Sequence, residues 1–223
     1  MLKRLLISWL LLISTALAVT YSQPFAVSHG FTATQSGACD SSYADADDTT
    51  NGNPVNSIKT TCVGRNDAPT STWKKSLTWE AMGVTSGNNA TQVDGKFDHS
   101  IITRSHTSIP AVGPLEIWNS GDTATCMAAD PEAQLVYGSG TGGTAWATQD
   151  LTGAVNVNAG CQASTTTLTV RVAIRSNAGN NAAATTQVNI DNLVLVITEV
   201  TPSGRSRVII SRLKLGTELG GVD

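Results

Sequence analysis

Residues 167–199 read TLTVRVAIRSNAGNNAAATTQVNIDNLVLVITE, and this stretch decides the fold class. Every second residue from Leu168 to Ile174 is apolar, and threonine, arginine and alanine stand between them. A period of two places the apolar side chains on one face of a β-strand and the others on the opposite face. The stretch therefore predicts an antiparallel strand with one buried and one solvated face.

The second half of this stretch predicts another strand, which is apolar on both faces. Val188 and Ile190 alternate with polar residues, but residues 193–197 are all apolar. Something must cover the second face, and we expect residues 201–223, a basic, strand-like tail, to pair beside this strand and cover residues 193, 195 and 197. The pattern leaves open whether the tail covers its own domain or a neighbour's sheet. Two alternating sets carry this expectation: Ile209, Leu213 and Leu215 in one phase, and Val208, Ile210, Arg212 and Lys214 in the other.

The rest of the chain has the composition of a β protein. Of its 223 residues 40% are apolar and 14% are charged, and the helix formers Glu and Lys are scarce. Because no stretch of about 12 residues beyond the first eighteen shows a helical period, we expect no substantial helix. Residues 19–200 are predicted to form one all-β domain, a sandwich or a barrel. The further strand candidates are 76–82, 91–103, 114–119, 132–138 and, in the tail, 207–215.

The first eighteen residues have the pattern of a signal peptide. Lys3 and Arg4 precede an apolar run, and the segment ends in Ala16-Leu17-Ala18, with small residues where a signal peptidase reads them. The apolar stretch is about 15 residues long, short of the ~20 that cross a bilayer. We expect cleavage after Ala18 and a secreted or cell-surface protein without a membrane span in the mature chain. An uncleaved anchor and a periplasmic location are the alternatives.

Four cysteines follow the predicted signal peptide. An even number in an exported chain indicates two disulfides, and four cysteines allow three connectivities, of which the pairing of sequence neighbours is favoured. A zinc site is the competing interpretation, but the chain has no CxxC pair, and its three histidines lie at no ligand-like spacing from the cysteines. The favoured pairs are Cys39–Cys62 and Cys126–Cys161.

The region 19–67 is rich in Asp and Asn, and we interpret it as a long, turn-rich loop. Carboxylate and amide oxygens are ligands that Ca²⁺ prefers, so the region is a candidate for a structural calcium ion. An EF-hand is excluded, because Ile58 stands where a bidentate glutamate is required. A solvated acidic loop without metal is the alternative. The candidate ligands are Asp40, Asp45, Asp47, Asp48, Asn51 and Asp191.

No catalytic motif stands out in the sequence. GxSxG is missing, and Glu116 in LEIW has no second acid at strand spacing to act with it. The net charge of −3 argues against nucleic-acid binding, which needs a basic surface. Tryptophans stack on sugars when exposed and fill cores when buried. Trp146, which follows a glycine-rich stretch, and Trp118 are the candidate ligand-binding residues.

Three stretches resemble a known kind of domain: STWKKSLTWEAMGV (71–84), WATQDLTG (146–153) and residues 167–199. They are similar to the galactose-binding-like and carbohydrate-binding-module-type jelly-roll domains of exported bacterial proteins. In that resemblance Trp146 precedes the penultimate long strand, and Asp191-Asn192 opens the last one. It covers about residues 73–199 and implies an antiparallel jelly-roll β-sandwich. Many such domains carry a structural Ca²⁺. The resemblance therefore implies a calcium ion in the Asp-rich region of this chain.

Two functions follow as predictions. The first is a non-enzymatic secreted or cell-surface protein that binds a glycan or cell-surface polysaccharide, or mediates attachment and adhesion. The alternative is a structural subunit of an extracellular filament, fibre or coat that self-assembles through strand exchange by the tail. The tail carries four basic and two acidic residues, whereas residues 19–199 carry eight basic and fifteen acidic ones. A small esterase or polysaccharide-cleaving activity ranks third.

Overall fold

The computed structural model describes residues 16–25, 29–52, 56–64, 69–179 and 181–202. These residues form twelve strands and two short 3-10 segments, Glu80–Met82 and Ala159–Cys161, and no α-helix. The strands are β1 (Leu17–Gln23), β2 (Thr32–Ser36), β3 (Ser42–Asp48), β4 (Ser57–Val63), β5 (Thr70–Thr78), β6 (Asn89–Arg104), β7 (Ala111–Asn119), β8 (Leu135–Val136), β9 (Ala147–Gln149), β10 (Val155–Asn156), β11 (Thr167–Arg175) and β12 (Thr185–Val200).

The strands form two antiparallel sheets. The first sheet has the order β10-β6-β12-β4-β3, with β1 paired to β12 and β9 paired to β6. The second has the order β2-β5-β11-β7-β8. From β4 to β7 the chain alternates between the sheets, and it does so again from β11 to β12. The predicted fold class, an all-β jelly-roll sandwich, is confirmed.

The core lies between the two sheets and contains the apolar face that the sequence predicted for β11. Leu168, Val170, Val172 and Ile174 are fully buried. On the other sheet, β12 contributes Leu193, Leu195 and Ile197 to the core, and all three are fully buried. Trp73 and Trp79 also lie in this core, because bulky rings fill space that the many small residues leave.

The predicted role of the tail beside β12 was wrong. Residues 193–199 of β12 pair with β1 on one side, and β6 pairs along the other side, so neither edge is open to a further strand. Leu193, Leu195 and Ile197 point into the core and need no cover from the tail. The tail itself lies outside the described residues, apart from Thr201 and Pro202.

The interpretation of residues 19–67 as a long loop was also wrong, because most of the described residues in this region lie in strands. The acidic stretch is β3, which reads SYADADD and forms the edge of the first sheet against β4. Its residues alternate with a period of two, so Asp45 and Asp47 share one face. An edge strand keeps such carboxylates near solvent, which is why acidic residues are tolerated there.

Smaller predictions had mixed outcomes. The candidate at 76–82 was misplaced: β5 ends at Thr78, and the following 3-10 segment ends at Met82 and is capped by Gly83, whose φ of 102° suits glycine. Both favoured disulfides, Cys39–Cys62 and Cys126–Cys161, are present.

The predicted signal peptide lies almost entirely outside the described residues. β1 begins at Leu17, so cleavage after Ala18 would leave residues 19–23 paired with β12. Within the described ranges, no helix has the length and apolar character to cross a membrane.

Candidate functional site

The outer face of the second sheet gathers polar side chains from four strands. Inward residues such as Trp73 alternate with outward ones, and the strand register aligns the outward ones across the sheet. One row runs Thr32–Lys74–Arg171–Glu116, and the next runs Ser76–Thr169–Trp118. We call these seven residues, together with Asp122, the outer face.

The loop that follows β7 folds over this face. Asn119 shapes the loop, because its side-chain oxygen accepts a hydrogen bond from the Thr123 N–H at 2.9 Å. The loop crosses β11, so that the Asp122 carboxylate reaches the ammonium of Lys74 on β5 at 2.5 Å. A groove of about 390 Å³ results. Its lining residues are Gly30, Thr32, Lys74, Lys75, Ser76, Ser120, Gly121, Asp122 and Thr169.

Trp118 lies under an ion pair. The guanidinium of Arg171 stacks over the indole ring at 4.4 Å, and Arg171 Nε is 3.6 Å from Glu116 Oε2. The two charged side chains are only 19% and 23% exposed. Burial raises the pKa of Glu116, and the guanidinium offsets part of that rise. Trp118 therefore supports a half-buried pair of polar side chains rather than offering both ring faces to a ligand.

Three buried polar atoms of the outer face make no hydrogen bond: Trp118 Nε1, Arg171 Nε and Asp122 Oδ1. The indole N–H is close enough to the Glu116 carboxylate to lower its pKa, without the geometry of a hydrogen bond. An unmade hydrogen bond at a buried polar atom costs about 1–3 kcal/mol. A ligand that supplies donors and acceptors after a small rotation of Arg171 or Asp122 recovers part of that energy.

The two tryptophans that the sequence singled out belong to different sheets. Trp146 is half-buried and directly precedes β9, which pairs with β6 in the first sheet. Trp118 is on β7 in the second sheet. The structure therefore does not unite them in one site, and only Trp118 lies among the outer-face residues.

Two of the predicted calcium ligands face the space between the sheet edges β2 and β3. Asp45 accepts hydrogen bonds from Thr60 Oγ1 at 2.6 Å and Gln35 Nε2 at 2.7 Å. Asp47 Oδ1 lies 2.7 Å from His29 Nε2. Because the Phe31 N–H donates to His29 Nδ1, the ring proton is on Nε2 and is donated to Asp47.

Asp48 points to the opposite face of β3 and is surrounded by donors. Its Oδ1 accepts the backbone N–H groups of Thr50 and Asn51, and its Oδ2 accepts side-chain amides of Asn51, Gln187 and Asn189. Burial alone raises the pKa of Asp48, but these hydrogen bonds outweigh it and hold the pKa well below its usual range. Hydrogen-bond donors therefore already occupy the space around the Asp48 oxygens that a cation would need.

The remaining candidates lie apart along the chain. Asp40 is exposed before β3, and Asp191 Oδ1 accepts the N–H groups of Phe25 and Asn192. In the described part of the chain, no three acidic, histidine or cysteine side chains come together as a metal site. The calcium site stays a prediction.

A second groove, which we call the edge groove, opens between β2 and β3. It measures about 710 Å³. Aromatic side chains form its floor and carboxylates its rim. The sequence did not predict this groove, because neither β2 nor the pairing of His29 with Asp47 is evident from its pattern. The lining residues are Phe31, Thr32, Ala33, Thr34, Gln35, Asp45, Ala46, Asp47 and Trp73.

Comparison with known proteins gave structural similarities only. No protein family and no curated protein matches the sequence. The enzymatically active domain of tailspike protein 4 from bacteriophage CBA120 is 10% identical over 75% of this chain, with a TM-score of 0.41, and the chain covers 19% of its length.

Two other similar structures are family 11 carbohydrate-binding modules from Clostridium thermocellum. One, in complex with a β-1,3-1,4-mixed-linked tetrasaccharide, is 12% identical, with a TM-score of 0.39 and coverage of 79% of this chain and 94% of the module. The other, from a cellulosomal cellulase, is 13% identical, with a TM-score of 0.29 and coverage of 80% and 86%.

Proposed function

We propose that this protein binds a neutral glycan on the outer face of its second sheet. The observation that carries the proposal is the presence of two ion pairs beside the Thr169–Trp118 row, Lys74–Asp122 and Arg171–Glu116. Within each pair the charges cancel, so the face attracts neither cations nor anions strongly. The paired groups still offer unused N–H donors and carboxylate lone pairs.

Each hydroxyl group of a sugar is both a donor and an acceptor. Neighbouring hydroxyls can therefore bind the N–H donors and the carboxylate acceptors of these ion pairs together. The hydroxyls of Thr32, Ser76 and Thr169 add further partners along the same rows. The groove beneath Asp122 is open, as an extended chain of sugar units requires. Unpaired buried atoms such as Trp118 Nε1 favour a hydrogen-bonding ligand over an apolar one.

The proposed role is binding without cleavage. Burial raises the pKa of both Glu116 and Asp130, which is a property of general acids. However, Glu116 is held in an ion pair by Arg171 and is not free to deliver a proton. We also propose that the protein acts outside the cell or at its surface, since its two disulfides suit an oxidising compartment.

The test combines a glycan array with calorimetric titration of the soluble polysaccharides that bind. Arg171→Ala and Lys74→Ala are expected to weaken binding about tenfold each, because each removes charge-assisted hydrogen bonds. The matched control is Lys96→Ala, a 44% exposed lysine on the first sheet, which is expected to leave binding unchanged. Release of reducing ends is followed in parallel and is expected to be nil. Silence across the array, or equal loss in all three variants, contradicts the proposal.

A further inference from the structure

Three strands of five or more residues have one edge without a partner strand in the described part of the chain. β1 pairs only with β12, β2 only with β5, and β3 only with β4. A free edge presents backbone N–H and C=O groups that another strand can bind. β1 and β2 contain no charged residue, whereas β3 contains three aspartates. The edges therefore differ in the charge of the strand that each would accept.

The tail has the complementary charge. Residues 207–215 read RVIISRLKL and alternate with a period of two. It carries Arg207, Arg212 and Lys214 and no acidic residue, so the sequence predicts a basic strand. We propose that the tail of one molecule adds as an antiparallel strand to the β3 edge of a second molecule. This inference does not depend on glycan binding.

The spacing of the charges sets the register. Asp45 and Asp47 are two residues apart on one face of β3, and Arg212 and Lys214 are two residues apart in one phase of the tail. Antiparallel pairing with Arg212 opposite Asp47 places Lys214 opposite Asp45. Opposite charges across a strand pair stabilise it, and a slip by one residue would lose both pairs.

The same register covers small residues on the other face. Leu213 comes opposite Ala46 and Leu215 opposite Ala44, and both alanines are exposed in the single chain. Large side chains on the tail thus meet small side chains on β3, without a steric clash and with apolar surface removed from water.

The edge groove accommodates the basic side chains. Asp45 and Asp47 line it together with Phe31 and Trp73. The Asp47 side chain is 44% exposed, although it accepts the His29 hydrogen bond, so it has room for a second partner. The aliphatic stems of Arg212 and Lys214 would lie over the aromatic floor while their charged ends meet the carboxylates.

The tail of the same molecule does not reach this register when it turns back tightly at residues 202–204. Asp47 is level with Ile58 on β4 and with Ile190 on β12. The tail leaves β12 at Val200, about 33 Å further along at about 3.3 Å per residue. It must first reverse direction, for which Pro202-Ser203-Gly204 is suited. The eight residues from Gly204 to Arg212 span at most about 29 Å, before the sideways shift past two strands is added.

A charge-swap experiment on the full chain tests the proposal. One variant reverses the tail (Arg212→Asp with Lys214→Asp), and the other reverses the edge (Asp45→Lys with Asp47→Lys). Arg205→Asp with Arg207→Asp is the matched control, since it changes the tail charge equally but outside the paired residues. Sedimentation equilibrium over a concentration series measures association, and thermal melting checks that each variant folds.

Wild-type protein is expected to self-associate, and each reversal is expected to lower the association constant at least about tenfold. An equimolar mixture of the two reversed proteins is expected to associate again, because the tail of one then suits the edge of the other. If the edge reversal does not fold, Ala46→Lys at an exposed position replaces it and is expected to weaken association. Monomeric wild type, an equal effect of the control, or no recovery in the mixture would each overturn the proposal.

Discussion

Asp48→Ala is expected to destabilise the protein strongly, although aspartate is usually a surface residue. The Asp48 side chain is only 4% exposed, and its carboxylate accepts five hydrogen bonds from donors of Thr50, Asn51, Gln187 and Asn189. Asn189 is fully buried, and its other amide hydrogen is already donated to Ser57 Oγ at 2.8 Å. Removal of the carboxylate therefore leaves a buried N–H with no acceptor.

The expected magnitude follows from these contacts. A hydrogen bond to a charged group contributes about 1.5–3 kcal/mol, and an orphaned buried donor costs about 1–3 kcal/mol. The contributions are not additive, so we expect a loss of about 3–5 kcal/mol in the free energy of unfolding. For a domain of this size that is a fall of about 6–20 °C in Tm. Asp40→Ala, an exposed aspartate on the same segment, is the matched control and should change stability by less than about 0.5 kcal/mol.

The pH dependence of stability shows whether the charge of the Asp48 carboxylate, rather than its volume, stabilises the fold. The pKa of Asp48 is lower in the folded state than its ordinary value of 3.8, so its contribution is present above that value and is lost as the pH falls below it. Urea unfolding followed by tryptophan fluorescence should show the difference between wild type and Asp48→Ala shrinking in acid. A loss below about 1 kcal/mol, or a difference that persists undiminished at low pH, would refute this reasoning.

Three further predictions concern stability. Replacing both Cys126 and Cys161 by alanine opens a loop with a sequence separation of 35 and should cost roughly 3–4 kcal/mol in urea unfolding, and reductant should then destabilise the variant further by opening Cys39–Cys62. Gly95→Ala should cost about 1–3 kcal/mol, because the new Cβ would lie 2.7 Å from Leu115 Cδ2, and a variant as stable as wild type would show that the core repacks freely. If the predicted calcium ion binds, Ca²⁺ at a hundredfold excess over its dissociation constant should stabilise the protein by about 2.7 kcal/mol relative to chelator, and superimposable melting curves would remove the site.

The sequence predicted best what depends on local alternation. The period of two in Leu168–Ile174 predicted a strand with one buried face, and that face lies in the core. The scarcity of helix formers predicted the all-β class. The two disulfides followed from the export pattern and from pairing neighbours along the chain.

The sequence predicted poorly what depends on how strands are arranged. The alternation in β3 was present in SYADADD, but the acidic composition suggested a loop, because propensity alone does not show that a strand lies at a sheet edge. Apolar residues on both faces of β12 predicted that the tail pairs beside this strand, whereas β1 occupies that position. The outer face was out of reach for a similar reason: Lys74 and Asp122 are 48 residues apart and meet only through the register of β5, β11 and β7.

The two predicted functions, glycan binding and self-assembly, are compatible in this architecture. The outer face belongs to the second sheet and the β3 edge to the first, and Thr32 on β2 borders both grooves. A tail seated in the edge groove would leave Lys74 and Arg171 exposed, so an assembly would present many copies of the outer face. Multiple attachment points raise the apparent affinity for a polymer without a new contact. Reversal of Arg212 and Lys214 should therefore weaken binding to a long polysaccharide but not to a short oligosaccharide, whereas Lys74→Ala should weaken both and leave association unchanged.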